Sequence, residues 1–422
     1  MKILHTSDWH LGHQFFKYER EEEFQHALNQ IVEIVRTQQP DAFLLSGDVY
    51  DTPVPSTAAQ HCFTQSLLAI HQACPSMAIV AIAGNHDGKS FLNVARDLWT
   101  LAGVHVVGLL NVLSPSQEEL QTCIDDVDFL EHKFDLASQI VPVANKGIIV
   151  AVPHLYDAAY PFLSDPNATA EQRRRQYFTA LMEYVARHNP QHLPVVLMAH
   201  LAVSSSDLSW HDFGVVGNLV TTDLSDFGTQ FDYLALGHIH KSQNMTFQGR
   251  LARYSGSIIP ISFSEDLPHT VSIVNITAGA TTTEDVEEIP INPLYSLLTL
   301  PATPLPFDQA LQSLSSLSQD QKCYLRLNVR VDNENPLPPD ALLQVHQALK
   351  DASARFCEIK IDAPNLGTQV GDRVISDPSQ LRGLTPSQVA KYASAEPLSQ
   401  DDLDMFAEVE RRLNMNAEKA NM

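Results

Sequence analysis

Five short polar clusters stand directly after apolar runs, and each carries side chains that bind metal ions. "SDWH" (Asp8, His10) follows Ile3–Leu4, and "SGDVYD" (Asp48, Asp51) follows "AFLL". "AGNHDG" (Asn85, His86, Asp87) follows "MAIVAI", "MAHL" (His200) follows "PVVL", and "LGHIH" (His238, His240) follows "FDYLA". A mixed carboxylate–imidazole set suits Mn, Fe, Zn or Co, whereas an all-oxygen set would have pointed to Mg or Ca. Residues two apart in an extended segment project to one face, so Asp8/His10 and His238/His240 can each aim a ligand pair into a single pocket. Two divalent ions ~3.5–4 Å apart need a bridging anion, and Asp48 at the Gly47–Asp48 turn is the natural candidate. Gly47 and Gly84 let the backbone turn sharply and approach closely just before a ligand. His86 and Asp87 adjoin Asn85, which suits a catalytic imidazole oriented by a carboxylate.

Each motif alone is weak, because a single histidine at a strand end is usually structural. Five of them in the order D-x-H, G-D, G-N-H-D, H and G-H-x-H form a set with a common chemistry. The elements that must carry them alternate. Strands are expected at Lys2–His5, Ala42–Ser46, Ala78–Ala83, His105–Val107, Gly147–Val152, Val195–Ala199 and Tyr233–Leu236. Helical patterns lie between them at Glu21–Gln38, Thr57–Gln72 and Glu171–His188. This rhythm predicts an α/β fold, with ligands gathered where the strands end. Hairpin-like strands at Leu251–Ser257 and Thr270–Ile276 predict a sheet that is mixed or doubled into a sandwich. Prolines 290, 293, 301, 304 and 306 punctuate a connection. Beyond it Tyr324–Val331, Pro338–Ala352 and Phe356–Ile361 read as strand, helix and strand of a small α+β domain over 290–365. Two further helices, at "LTPSQVAKYAS" and "LSQDDLDMFAEVERRL", are expected in 380–422.

The ordered motifs resemble the calcineurin-like metallophosphoesterase superfamily, and the match is complete over residues 8–240: "DWH", "GDVYD", "GNHD", His200 and "GHIH". The resemblance implies a helix-flanked β-sandwich at 1–285. It also implies one metal on Asp8, His10, Asp48 and His240 and a second on Asp48, Asn85, His200 and His238. His86 would be the non-ligand histidine at the leaving group, supported by Asp87 or Asp51. Outside the core, "MKILHTSDWHLG", "LLSGDVYDT", "YLALGHIHKSQ" and "YSGSIIPISFSE" resemble the SbcD family, nuclease subunits of bacterial SbcCD complexes. That resemblance implies Mn2+ (with Mg2+ as the second option) and ATP only through an SbcC-type ATPase partner in a two-plus-two heterotetramer. It further implies double-stranded and hairpin DNA as substrates, roles in DNA repair, recombination and replication, and homodimerisation through the nuclease domain. Residues 290–365 would be a capping, DNA-recognition domain, and 380–422 the helices that grip the SbcC coiled-coil base. The other reading of the same core is a phosphatase or cyclic-nucleotide phosphodiesterase that acts without a partner ATPase.

Composition sets limits on these readings. The 422 residues exceed one ordinary core, so two or three domains are expected. The five cysteines are scattered, without a Cys-x-x-Cys pair. That favours reduced thiols in a cytoplasmic protein over a disulfide framework. No apolar run is long enough to cross a bilayer, and no signal-peptide pattern is expected. A net charge of −23 is unfavourable for holding DNA unaided. Residues 117–135 carry seven acids against Lys133, within a stretch at about 109–138 that looks like an insertion. Local cations must then help, and Arg173–Arg175, Lys241, Arg250 and Arg253 are the candidates. There is no Gly-x-x-x-x-Gly-Lys-Ser/Thr loop, so ATP dependence would have to come from a partner.

Overall fold

The computed structural model describes residues 1–374 apart from 95, 117–118, 121–122, 164–166, 209–220, 266–267, 280, 364–368 and 371–372. The helices expected in 380–422 lie outside the described residues. The chain divides into two compact units, Met1–Leu297 and Leu298–Met422.

In the first unit the strands are β1 (Lys2–Thr6), β2 (Ala42–Ser46), β3 (Ala78–Ile82), β4 (Val104–Val107), β5 (Ile140–Val143) and β6 (Gly147–Ala151). They continue with β7 (Val195–His200), β8 (Tyr233–Gly237), β9 (Gln243–Phe247), β10 (Arg250–Tyr254), β11 (Thr270–Asn275) and β12 (Val286–Pro290). Two six-stranded sheets result, in the orders β12-β11-β1-β2-β3-β4 and β9-β10-β8-β7-β6-β5. Strands β1 to β4 run parallel, as do β6, β7, β8 and β10, while β5, β9, β11 and β12 are antiparallel additions.

The period-2 alternation of the strands explains the layering. Ile3, Leu44, Val80 and Ile82 face Ile149, Val196, Met198 and Tyr233 of the other sheet, forming the inner core of a sandwich. The intervening Leu4, Phe43, Leu45 and Ile79 face outward onto helices α1 (Glu21–Gln38) and α2 (Thr57–Ala73). On the far side Val150, Leu197, Leu234 and Leu236 pack on α3 (Asp126–Lys133) and α4 (Ala170–Arg187). Because the strands are buried on both faces, they read as unbroken apolar runs such as "AFLLS" and "AIVAI". α1 buries Phe24, Ala27, Leu28, Ile31 and Val35, a single helical stripe, and carries Glu21, Glu22 and Glu23 in its first turn. α2 is capped by Ser56, which accepts from Ala59 N, and α4 opens with a Thr169/Gln172 capping box.

The acidic segment contributes α3. Arg187 of α4 pairs with Asp125 at 2.8 Å and Asp128 at 3.7 Å, tying that helix to the domain. In the second unit β13 (Ser296–Leu305), β14 (Cys323–Arg330) and β15 (Arg355–Asp362) form a sheet in that order. Helices α5 (Phe307–Ser313) and α6 (Ala341–Ala348) pack on it around Phe307, Leu325, Leu327, Val345 and Phe356. The proline-marked stretch read as a connection therefore contains a ten-residue strand. It lies at the sheet edge, where missing amide donors are tolerated. No described helix is long and apolar enough to cross a membrane.

Candidate metal centre

The carboxyl ends of β1, β2, β3, β7 and β8 deliver the five motifs. These are central, mutually parallel strands of the two sheets, so their ends converge. The loops after β1 and β2 are zipped together by Asp8 N→Gly47 O, His10 N→Asp48 O and Leu11 N→Val49 O, each 3.0 Å. Asp8 (φ +53°), His10 (φ +46°), Asp48 (φ +48°) and His238 (φ +102°) sit in left-handed backbone conformations. Such conformations cost about 1–3 kcal/mol each in a non-glycine residue and persist only where the surroundings enforce them. Here the paired loops supply that enforcement.

The candidate ligand atoms of Asp8, His10 and His240 lie within 4.8 Å of one another, as do those of Asp48, His200 and His238. Asp48 joins the two groups: its Oδ2 is 3.6 Å from His10 Nε2 and 3.2 Å from His200 Nε2. Asn85 closes the second group, with Oδ1 3.0 Å from His200 Nε2 and 2.8 Å from His238 Nδ1. Asp8 accepts from Ser7 Oγ at 2.5 Å and from His238 N at 3.0 Å. His200 donates Nδ1–H to Ser46 O at 2.8 Å, which leaves Nε2 as its ligand atom. Glu265, buried, holds His240 Nδ1 at 3.2 Å and is itself bound by Ser257 Oγ and Ile261 N. Gly84 is required here, since a Cβ would stand 2.0 Å from Asp48 Oδ1 and 2.3 Å from Asp48 N.

Electrostatics fit a cation-binding pocket. Burial alone would lower the pKa of His10, yet Asp51, Asp48 and Asp8 outweigh it and hold the ring near 9. His200 is likewise lowered by burial but carried to about 9 by Asp48 and Asp8. Burial raises Asp48, while His200, His10 and His86 draw it well below the ordinary carboxylate range. Both His10 ring nitrogens are buried among carboxylates, Nδ1 3.3 Å from Asp51 Oδ1 and Nε2 3.6 Å from Asp48 Oδ2, with Nε2 making no hydrogen bond. Buried polar atoms without partners are rare, and this donor chemistry, one shared carboxylate among imidazoles and a carboxamide, is what divalent transition metals take.

Of the two residues expected to support His86, Asp51 contacts the imidazole and Asp87 turns to backbone amides. The Asp87 carboxylate is buried and accepts from Val49 N (3.1 Å), Tyr50 N (2.9 Å) and Gly84 N (2.8 Å), stitching the β2 loop to the β3 loop. Burial and the charge of Asp48 raise its pKa to about 6 despite those three amides. It is a positioning residue. Asp51 reaches His86 through its carbonyl oxygen, which accepts from Nδ1 at 2.9 Å, while its carboxylate lies 3.3 Å from His10 Nδ1. The His86 backbone N donates to Asp48 Oδ1 at 2.9 Å, and the side chain is exposed beside His10, with ring centroids 4.8 Å apart.

The cations expected to face a polyanion are each engaged by neighbouring groups, Arg175 while half exposed. Arg173 donates to Tyr160 O and lies 4.3 Å from the Phe162 ring. Arg174 pairs with Asp157 and Asp226, and Arg175 with Asp226. Lys241 pairs with Asp207, Arg250 with Asp232, and the buried Arg253 with Glu288. Sequence reasoning missed Glu265 as the partner of His240, although the "YSGSIIPISFSE" stretch contains it. It also missed His154, whose Nδ1 lies 3.0 Å from His200 O.

A model of the calcineurin-like phosphoesterase family matches residues 1–242. The SbcD protein of the SbcCD nuclease of Rhodobacter capsulatus is 31% identical, over 72% of this chain and 74% of that protein. Its counterparts in Escherichia coli (strain K12) and Bacillus subtilis (strain 168) are each 27% identical. The first of these two matches covers 79% of this chain and 78% of the relative, the second 85% of each. A strand-end centre of shared carboxylate and imidazoles, a family match over more than half of the sequence and relatives spanned over about three quarters of their length lead to one assignment: the chain belongs to the calcineurin-like phosphoesterase family and, within it, to the SbcD nuclease subunits.

Proposed function

We infer that this chain is the nuclease subunit of an SbcCD-type complex and hydrolyses phosphodiester bonds in DNA with two divalent cations. The observation that carries the reading is the position of Asp48, one carboxylate oxygen of which lies within 3.6 Å of imidazoles from both ligand groups. Asp8, His10, Asp48 and His240 would hold one ion, and Asp48, Asn85, His200 and His238 the other. Mn2+ is the best match to this donor set, with Mg2+ second. A bound pair supplies Lewis acidity to the phosphoryl oxygens and a nucleophile from water at neutral pH. The chain's own residues do the rest. Asp48 fixes the spacing, Glu265 and Ser46 O orient His240 and His200, and His86, its Nδ1 engaged by Asp51 O, offers Nε2 to the leaving-group oxygen.

ATP would enter only through an SbcC-type partner, gripped by residues 380–422 in a two-plus-two assembly in the cytoplasm. The capping domain at 290–365 and that partner would supply DNA-facing cations in place of the six engaged ones. Exposed Val94, Leu98 and Leu101 give the nuclease domain an apolar strip suited to homodimerisation. Repair, recombination and replication are the settings in which such an enzyme would act. The decisive experiment incubates the chain, with and without an SbcC-type ATPase, with linear and hairpin duplex DNA in Mn2+. Cleavage supports the reading. Intact DNA alongside turnover of small phosphodiesters refutes it in favour of a phosphoesterase that needs no partner.

A further inference from the structure

A cavity of about 350 Å3 opens beside the second ligand group, lined in part by Asn85, His238, His154, Tyr156 and Leu201. It adjoins the metal centre, yet the hydrolytic reading gives its far wall no task. Tyr156 stands there with 61% of its surface exposed. Its ring is braced edge-to-face against His154, with centroids 5.0 Å apart and planes at 88°. His154 in turn is fixed by the 3.0 Å contact of its Nδ1 with His200 O. The tyrosine is thus connected through one ring to the backbone of a candidate metal ligand. Lys89, three residues after His86, places its ammonium 4.3 Å from the Tyr156 ring centroid. Among the described residues it makes no ion pair, unlike Arg174, Arg175, Lys241, Arg250 and Arg253. Half-burial disfavours its charge and lowers its pKa, so an anion beside it would be welcome.

An exposed aromatic face, an adjacent unneutralised cation and a cavity running to a phosphoester-cleaving centre share one ligand chemistry. A nucleotide has an aromatic base to stack and a phosphate to pair, and stacking platforms beside cations are how single strands are held. We propose that Tyr156, braced by His154 and flanked by Lys89, is a nucleotide subsite on the Asn85/His238 side of the centre. The base rests on the tyrosine ring and a phosphate sits at the lysine. This rests on the nuclease reading and adds to it how one nucleotide next to the scissile bond is positioned. Base stacking tolerates any base, so the subsite grips without reading sequence.

The test is calorimetric titration of the full-length, Mn2+-loaded chain with dAMP and with 2-deoxyribose 5-phosphate. The two probes differ only by the base. The wild type is expected to bind dAMP roughly tenfold or more tightly, the range of one aromatic–base stack. Tyr156→Ala should erase that preference and leave 2-deoxyribose 5-phosphate binding unchanged, while Tyr156→Trp should keep it. Lys89→Ala should weaken both probes alike and flatten their salt dependence. A wild type that does not distinguish the probes, or a preference that survives Tyr156→Ala, overturns the subsite. Unchanged phosphate binding in Lys89→Ala overturns the part given to the lysine. Binding is read without turnover, so failure to cleave DNA would sink the nuclease reading while leaving these ratios standing, and loss of the base preference would do the reverse.

Discussion

Gly84→Ala tests the centre with the smallest possible change. The added methyl would stand 2.0 Å from Asp48 Oδ1 and 2.3 Å from Asp48 N. Bringing the first contact merely to 3.0 Å, the floor for a Cβ contact, requires 3.0 − 2.0 = 1.0 Å of movement. A side-chain oxygen could rotate aside, but the backbone nitrogen cannot. Its neighbours are held by His10 N→Asp48 O and by the amides of Val49 and Tyr50 on Asp87. Either the β2 loop or the β3 loop must therefore shift, carrying Asp48 or Asn85 with it. Overpacking of this kind costs about 1–3 kcal/mol of stability. A misplacement of ~1 Å in a reacting constellation costs on the order of 100-fold in rate. The assay is Mn2+-dependent hydrolysis of bis(4-nitrophenyl) phosphate, with Mn2+ affinity by calorimetry and folding by circular dichroism. The expected variant is folded, binds Mn2+ about 10- to 100-fold more weakly, and is about 100-fold slower. A variant within twofold of wild type in both rate and affinity would refute the shared-carboxylate geometry.

Further expectations concern other parts of the chain. Asp48→Ala should abolish metal-dependent hydrolysis and reduce bound Mn2+; near-normal activity would sink the bimetallic assignment. Asp87→Ala should lower thermal stability and rate together, because it strands three amides at about 1–3 kcal/mol per buried unsatisfied group. An unchanged melting temperature would show that Asp87 does not pin the loops. His5, buried against Tyr233 OH at 2.9 Å, has its pKa lowered to about 3, first by burial and then by Arg253. The unfolded chain therefore binds the proton first, and stability present above pH ~6.5 is lost as the pH falls toward 3, at up to ~1.4 kcal/mol per pH unit for this one proton. His5→Gln should flatten that slope in urea titrations at pH 7 and 5, and an unchanged slope would rule His5 out as its source. Deleting residues 384–422 should abolish co-purification with an SbcC-type ATPase while leaving Mn2+ binding intact, and undiminished complex formation would remove the role given to that segment.

What the sequence could and could not reveal follows from burial. Central strands such as β2 and β3 are apolar on both faces, and each runs straight into its polar motif, so element and ligand announce each other. The strands that escaped notice, β5, β9, β12 and β13, all lie at sheet edges. Edge strands need only one bonded neighbour and tolerate proline and polar residues, as "IVPV", "QNMTF" and "SLLTLPATPL" do. The ligand candidates were legible because chain order and residue type sufficed. The partners of those residues were not. Asp87 sits beside His86 in sequence but turns to amides of another loop, and Glu265 reaches His240 across 25 residues. Five of the six cations looked free because a sequence does not display Asp157, Asp207, Asp226, Asp232 or Glu288 next to them, and Arg173 because it does not display the Tyr160 carbonyl.

The division of the ligand candidates between the two sheets has a mechanical meaning. Asp8, His10, Asp48 and Asn85 hang from one sheet, and His200, His238 and His240 from the other. In the proposed assignment neither sheet alone completes a four-residue set. Each cation would act as a rivet through both halves of the sandwich, so a species in which the sheets have parted has no site to fill. Affinity for metal then becomes resistance to that parting. Loading the centre should protect from hydrogen exchange not only its loops but also Ile3, Leu44, Val196 and Tyr233, in the strands that form the seam between the sheets.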